Sequence, residues 1–591
     1  MYQPNLMNIM KKLTRGLNFL ALVSAVLLIS SCVSTNLPDM YEVDPEVLEA
    51  KGGTVEFTVK GTIPEKSFHK KAVVEFTPVL EYDGKVKELK KFVLRGEKTE
   101  GEGTVINSKT GGSFTYNESF DYEEDMRVSE LKVNAIIKKG SKVVDEVVDV
   151  KLADGVITTY QNIVHDEKVI YAPSGYEKVT IVSENATLYF QVNKSNLNTN
   201  LALNKSDEAK AQMENLHNFI MKGWEIQDVD IDGWASPEGE IDFNDNLANE
   251  RSETIQKYMA KHMTKMNKKR AKEMGVDVSE LEQEVKYNVK GNGEDWDGFM
   301  MLIKNSELND KSMILNVINS QPDVTKREEE IRNMTVIYKE IEDDILPPLR
   351  RADMMVNCFE PKRTDEEIAK LATSSPDSLN YKEILHAATL TEDHEARLNI
   401  YKAAFNNADA DWKAYNNAAV ESIELKKYDD AVNYLAQAER TAAKNGKVEN
   451  NLGVLASRNG DYEIAEEHFM KAMSYGENEN YNLGVMAIQN GEYTKALNYF
   501  KGIDCDHNLA LAQLLADNMD GALKNFKCAP ESGKTFYMLA VYGARTDNAQ
   551  MVYDNLEKGI SKCGDKLKEM ARTDREFVKY FEAPEFKALV E

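Results

Sequence analysis

The sequence predicts a multidomain chain with three folded parts of different class. These are an N-terminal β-sandwich, a central α/β domain with helices on a mixed sheet, and a C-terminal all-α solenoid. Three observations carry the prediction. Apolar and polar residues alternate with period two over residues 41–175; strands and amphipathic helices alternate over 178–358; residues 380–591 are helical and repeat themselves. A chain of 591 residues suits roughly four domains. Its 29% charged and 42% apolar residues mark it as globular. The net charge of −26 repels phosphate, which excludes a nucleic-acid reader and opposes binding to anionic lipid.

In the first part, Val55, Phe57 and Val59 alternate with polar residues, as do Leu131, Val133, Ala135 and Ile137. Turn signals at Asp83-Gly84, Gly111-Gly112 and Lys139-Gly140 separate the runs, the pattern of antiparallel hairpins. Several short strands in this length predict an immunoglobulin-like sandwich, a spacer or adhesive module with no polar cluster to make it a site.

Ahead of it, Lys11, Lys12 and Arg15 precede an apolar run from Leu17 to Ile29. The run is shorter than the roughly 20 residues a membrane-spanning helix needs and suits the core of a signal peptide. Its end, Ile29-Ser30-Ser31-Cys32, resembles the lipobox of bacterial lipoproteins. The resemblance implies a signal peptide over 1–31, lipidation of Cys32 and a short linker over 32–40. Val33-Ser34-Thr35 brings no acid after the cysteine, so the expected location is the outer membrane, facing the periplasm.

In the central part, a glycine-punctuated turn, Gly233-Trp234-Ala235-Ser236-Pro237-Glu238-Gly239, leaves an apolar strand at 229–231. It enters a helix carrying Asn244, Leu247, Arg251, Ile255 and Met259. This resembles the OmpA-like domains that hold the outer membrane of Gram-negative bacteria to peptidoglycan. The resemblance spans 178–358, with a lengthening insertion at 261–284. It implies that Arg251 forms a two-toothed salt bridge to the carboxylate of a peptidoglycan stem, a task for a planar guanidinium. Asn244 and the turn at Ala235 and Ser236 would line the pocket. The family commonly has an aspartate where this chain has Ser236, to pair with the ligand's ammonium group; Glu238, Glu240 and Asp242 lie in the same loop as substitutes. The alternative is that the glycines serve the turn and Arg251 a structural ion pair. Strands are expected at 179–182, 188–190, 287–289 and 352–356, and helices at 207–221, 244–263, 296–303 and 325–345.

In the last part, Leu452-Gly453, Tyr462, Ala465, Phe469 and Ala472 recur as Leu483-Gly484, Tyr493, Ala496 and Phe500, after an earlier unit with Ala418-Ala419, Tyr428, Ala431 and Leu435. The spacing is 34 residues from 419 to 453 and 31 from 453 to 484, which matches tetratricopeptide (TPR) repeats. Two further units and a capping segment at 577–589 complete a solenoid. Asn417, Asn451 and Asn482 share one register in it. Their amides either bind the backbone of an extended partner peptide or bond only within their own repeat.

The remaining cysteines, Cys358, Cys505, Cys528 and Cys563, have neither CxxC nor zinc-type spacing, so no obligatory disulfide and no metal is expected. A basic run, Lys261, Lys265, Lys268, Lys269, Arg270 and Lys272, is read as the solvated face of a long helix. No HExxH, nucleophile elbow, phosphate loop or dinucleotide fingerprint is present, and neither an enzyme nor a cofactor is expected. Two functions follow. One is a lipid-anchored tether that grips peptidoglycan and binds protein partners through the solenoid. The other is an envelope scaffold for a secretion or surface-structure complex, whose OmpA-like domain no longer binds peptidoglycan.

Overall fold

The computed structural model describes residues 41–308, 311–333 and 335–591. Cys32 and the expected signal peptide at 1–31 lie outside them. The described chain divides into two units: one runs up to Ala172 and resumes at 393–405 and 409–591; the other comprises 173–392 with 406–408. The β domain and the solenoid, distant in sequence, thus form one body, and the α/β domain is inserted between them. Among the described residues, no helix is long and apolar enough to cross a membrane.

Period-two alternation becomes strands that bury every second side chain, as Val55, Phe57 and Val59 do in Thr54–Ile63. That strand pairs with Tyr41–Asp44, Val47–Lys51 and Gly112–Asp121. A second layer holds Lys142–Ile157, Ser129–Lys139, Ala72–Tyr82, Phe92–Gly96 and Thr104–Ile106 in that order. Val47–Lys51 also pairs with Lys142–Ile157 and so joins the layers. Across the core Phe92 stacks on Phe114 and Tyr116 of the opposite layer, at 5.6 and 4.7 Å between ring centres. Regular strand ends at Ile157, short of the 175 expected for the sandwich; residues 164–172 belong instead to the groove described below.

Five helical hairpins follow the TPR-like pattern: Trp412–Glu424 with Tyr428–Thr441, Gly446–Asn459 with Tyr462–Ser474, Asn480–Gln489 with Tyr493–Tyr499, His507–Leu515 with Met519–Cys528, and Gly533–Arg545 with Ala549–Cys563. The repeating Leu-Gly has a steric cause. A Cβ on Gly453 would sit 2.7 Å from the Phe469 ring, and one on Gly484 2.5 Å from that of Phe500. Phe577 and Phe586 close the end. The hairpins also seat the β domain: Arg545 bonds Glu49 of a sandwich strand at 2.6 Å and Glu576 at 2.5 Å, and Thr159 donates to Glu576 at 2.5 Å. Cys505 and Cys528 form a disulfide, Cα atoms 4.8 Å apart, which corrects the expectation of none. Their 23-residue separation matches no short motif, and it is the fourth hairpin that brings its two ends together.

In the inserted unit the sheet order is Ile181–Tyr189, Arg351–Phe359, Ile226–Ala235 and Tyr287–Glu294, the last pair parallel and the others antiparallel. Helices Asp207–Met221 and Ile241–Met274 cover one face through Leu216, Phe219, Ile255 and Met259. Asp228, Asp230 and Asp232 line the other, bonded to the amides of Asn288, Asn292 and Asn357. Ile181–Tyr189 is one strand where the sequence suggests two. Its polar middle, Ser183-Glu184-Asn185, belongs to an edge strand of a sheet with one wet face. The helix expected at 325–345 divides into Val324–Asn333, Thr335–Glu340 and Ile341–Ile345, which pack with Lys311–Ser320 and Trp296–Asn305 on a separate core of Phe299, Ile303, Ile314 and Ile341. Helices Asp365–Ser374 and Tyr381–Ala387 group with this unit rather than with the solenoid.

Replacing Gly484 by alanine is expected to lower the stability of the intact chain by about 1–3 kcal/mol, the usual cost of forcing an extra methyl into a packed crossing. Urea unfolding followed by circular dichroism measures this, and an unchanged midpoint would mean that the crossing has room to spare.

Candidate functional site

The concave face of the solenoid presents a ladder of amides. Asn416, Asn417, Asn450, Asn451, Asn482 and Asn508 are all at most 2% exposed. A buried amide needs partners on both its oxygen and its nitrogen. The partner here is the chain's own segment 164–172, which turns tightly where the Asp166 N–H donates to the Val164 carbonyl at 2.9 Å and then runs along the groove as neither helix nor strand. The N–H of Val164 donates to Asn508 Oδ1 at 2.9 Å, and Asn508 Nδ2 donates back to its carbonyl at 2.8 Å. Asn482 treats Lys168 in the same way at 2.7 and 3.0 Å, Asn451 treats Ile170 at 2.9 and 2.8 Å, and Asn417 treats Ala172 at 2.7 and 3.0 Å. Each asparagine therefore acts as a neighbouring β-strand would. Asn450 and Asn416 add donors to the carbonyls of Lys168 and Ile170 at 2.9 and 3.0 Å. Between repeats, Asn451 Nδ2 donates to Asn416 Oδ1 and Asn482 Nδ2 to Asn450 Oδ1, which fixes the orientation of each amide.

At Asn417, Asn451 and Asn482 the amides neither stay within their own repeats nor meet a partner peptide; they bond the chain's own backbone at Ala172, Ile170 and Lys168. Asn416, Asn450 and Asn508 escaped the sequence reading. The doublets Asn416-Asn417 and Asn450-Asn451 were a usable signal, whereas Asn508 lies 26 residues after Asn482, off the regular spacing.

Side chains lock the strap. Glu167 is 3% exposed; it accepts from Ser457 at 2.6 Å and Arg458 at 2.7 Å, with His165 at 3.0 Å. Burial alone would raise its carboxyl, but these three partners outweigh it and hold the acid below its ordinary range. Asp166 accepts from Tyr481 at 2.6 Å. At the far end Tyr171 donates to Glu421 at 3.0 Å, and His394 contacts the other oxygen of that carboxylate at 2.7 Å. Glu421 is fully buried, and burial pushes its carboxyl upward against both bonds. It thus holds the chain on both sides of the inserted domain, which begins after Ala172 and ends before Asp393.

The loop of the inserted domain is also satisfied from within. Arg251 is 1% exposed. Its Nε donates to the Lys194 carbonyl at 3.1 Å, Nη1 to Trp234 at 2.7 Å and Nη2 to Gln191 at 3.2 Å, and the guanidinium lies 5.3 Å from the Phe190 ring centre. Burial, helped by the charge of Arg350 and opposed by Glu238, pushes its pKa down to about 10. Asn244 donates to Glu294 at 2.7 Å and to the Glu238 carbonyl at 3.2 Å. Ser236 donates to Glu238 at 2.7 Å, and Glu238 pairs with Arg350 at 2.7 Å. Ala235 is buried, its carbonyl accepting from the Asp295 N–H. Gly233 is required by the packing, since a Cβ there would lie 2.1 Å from the Ala248 carbonyl of the covering helix. Glu328, from the helix Val324–Asn333, meets Glu294, and burial with that second acid pushes its carboxyl up to about 7. Arg350 and Glu328 enter the loop from distant elements, and no local pattern in the residues places them there.

No family model and no curated protein matches this sequence. Among solved structures, the chain resembles a tetratricopeptide repeat protein from Parabacteroides merdae at 14% identity, over 36% of this chain and 90% of that one, with a TM-score of 0.29. PilW, a type IV pilus biogenesis factor, matches at 15% identity over 39% and 100%, with a TM-score of 0.28. YrrB, a TPR protein with an unusual peptide-binding site, matches at 19% over 35% and 98%, with a TM-score of 0.21. The solenoid reading rests on its own hairpins.

Two measurements check this geometry. Asn451→Ala strips Ile170 of its N–H acceptor and one donor, and is expected to destabilise the intact chain by about 1–3 kcal/mol in urea unfolding. Glu479, 1% exposed, has a carboxyl raised to about 7 by burial and by the nearby Glu477. A raised acid stabilises the fold in its protonated form below its unfolded pKa, and that contribution is lost as pH rises through about 7. Glu479→Gln should therefore melt like the wild type at pH 4 and above it at pH 8; equal melting at both would remove this assignment.

Proposed function

We propose that the protein is a lipid-anchored scaffold of the Gram-negative cell envelope, carried on Cys32 at the periplasmic face of the outer membrane. It is not an enzyme. Its first domain is an immunoglobulin-like spacer, and its inserted domain is an OmpA-like fold that has become a packing module. The solenoid and β domain together form the platform on which protein partners assemble.

The observation that carries this choice over a peptidoglycan tether is the state of Arg251. Three of its five N–H groups already donate to carbonyls and the side chain is 1% exposed, so a stem carboxylate would have to enter a desolvated position to reach the rest. The acid best placed in the loop to replace the missing aspartate, Glu238, is neutralised by Arg350. The tether reading keeps the motif around Gly233 and Arg251 in its favour, and the experiment weighs the two directly.

The full chain, expressed without its lipid, is mixed with purified peptidoglycan and sedimented. On the scaffold reading it stays in the supernatant, and Arg251→Ala changes only stability, by on the order of 3 kcal/mol for the carbonyls left unpaired. Wild-type protein that pellets, beside a folded Arg251→Ala that does not, would restore the tether.

A further inference from the structure

The strap is held in two different ways. Val164, Lys168, Ile170 and Ala172 are gripped through main-chain atoms, so the asparagines suit any extended segment that offers an N–H and a carbonyl at that register. Asp166 and Glu167 are gripped through their side chains, Asp166 by Tyr481 and Asn508 and Glu167 by Ser457 and Arg458, all of the solenoid itself. The groove therefore reads a backbone plus two neighbouring acids. Side chains from Lys168 to Tyr171 are exposed or half-buried, so this stretch buries little apolar surface beside the packed helices beneath it. The end nearest the inserted domain is fastened by Tyr171 on Glu421.

We propose that the groove is a peptide-binding site held closed in cis. Residues 164–172 are its resting occupant. An extended peptide of another protein, carrying acids at the registers of Asp166 and Glu167, takes the same bonds when the strap lifts. This rests on the scaffold reading and names the surface and the chemistry of the partner; none of the readouts below depends on sedimentation with peptidoglycan, so the two can fail separately.

The probe is a fluorescent synthetic peptide with the sequence of residues 163–173, titrated against the full chain. The comparison is with Ile170→Pro, which removes the N–H that Asn451 accepts and loosens the strap. The variant is expected to bind the peptide at least about tenfold more tightly than the wild type does. A peptide with glutamine in place of Glu167 should bind the variant about tenfold more weakly, the scale of one charge-assisted bond. A folded variant that binds no better than the wild type, or that accepts both peptides equally, overturns the proposal. Hydrogen exchange on the wild-type chain does not depend on the variant folding. The amides of Lys168 and Ile170 should exchange at least about tenfold faster than those of the helix Asn480–Gln489 beneath them. Exchange of strap and helix at one common rate would show a permanently fixed segment and likewise overturn it.

Discussion

The amide ladder and the strap satisfy one another, and the architecture of the larger unit depends on that exchange. Six buried asparagines on the inside of a helical array would be intolerable without partners, because a desolvated amide lacking hydrogen bonds costs several times what a bonded one returns. The strap has the complementary need, since an extended segment with no neighbouring strand leaves its backbone groups to be met elsewhere. A net hydrogen bond contributes about 1 kcal/mol, while ordering one residue costs about 1–2 kcal/mol. Backbone bonds alone therefore hold such a segment only near balance. Attachment at both ends and the buried acid at Glu167 settle it in the groove.

The same economy governs the inserted domain. Arg251 stays charged in a dry position because three carbonyls and an aromatic face replace its water, and the motif that brings it there is also the one that packs helix on strand through Gly233. Next to it, Glu238 and Arg350 neutralise each other, while Glu294 and Glu328 meet as two acids in little space, which favours keeping a proton between them. The helix Val324–Asn333 supplies Glu328.

Much of this organisation was legible in the residues. Strands with one buried face, hairpins with small residues at their crossings, and a helix that opens on a glycine turn all leave periodic or local marks, and the three folded parts follow from them. The Asn417, Asn451 and Asn482 register was visible for the same reason. What escaped was non-local. Nothing in 164–172 marks it as a groove occupant, because part of what seats it is backbone, which every sequence has, and Asp166, Glu167 and Tyr171 find their partners hundreds of residues away. Arg350 and Glu328 reach the loop from elements far along the chain, and Cys505 and Cys528 meet only because a hairpin folds back. The edge strand Ile181–Tyr189 reads as two in the sequence because its middle, Ser183-Glu184-Asn185, is polar on both faces and interrupts the apolar alternation.

One carboxylate, Glu421, receives the chain as it departs toward the inserted domain and again as it comes back, through Tyr171 and His394. Departure and return are thereby pinned to a single point on the host. A domain attached like this behaves as a cassette: it can grow, shrink or be exchanged in evolution without rerouting the body that carries it.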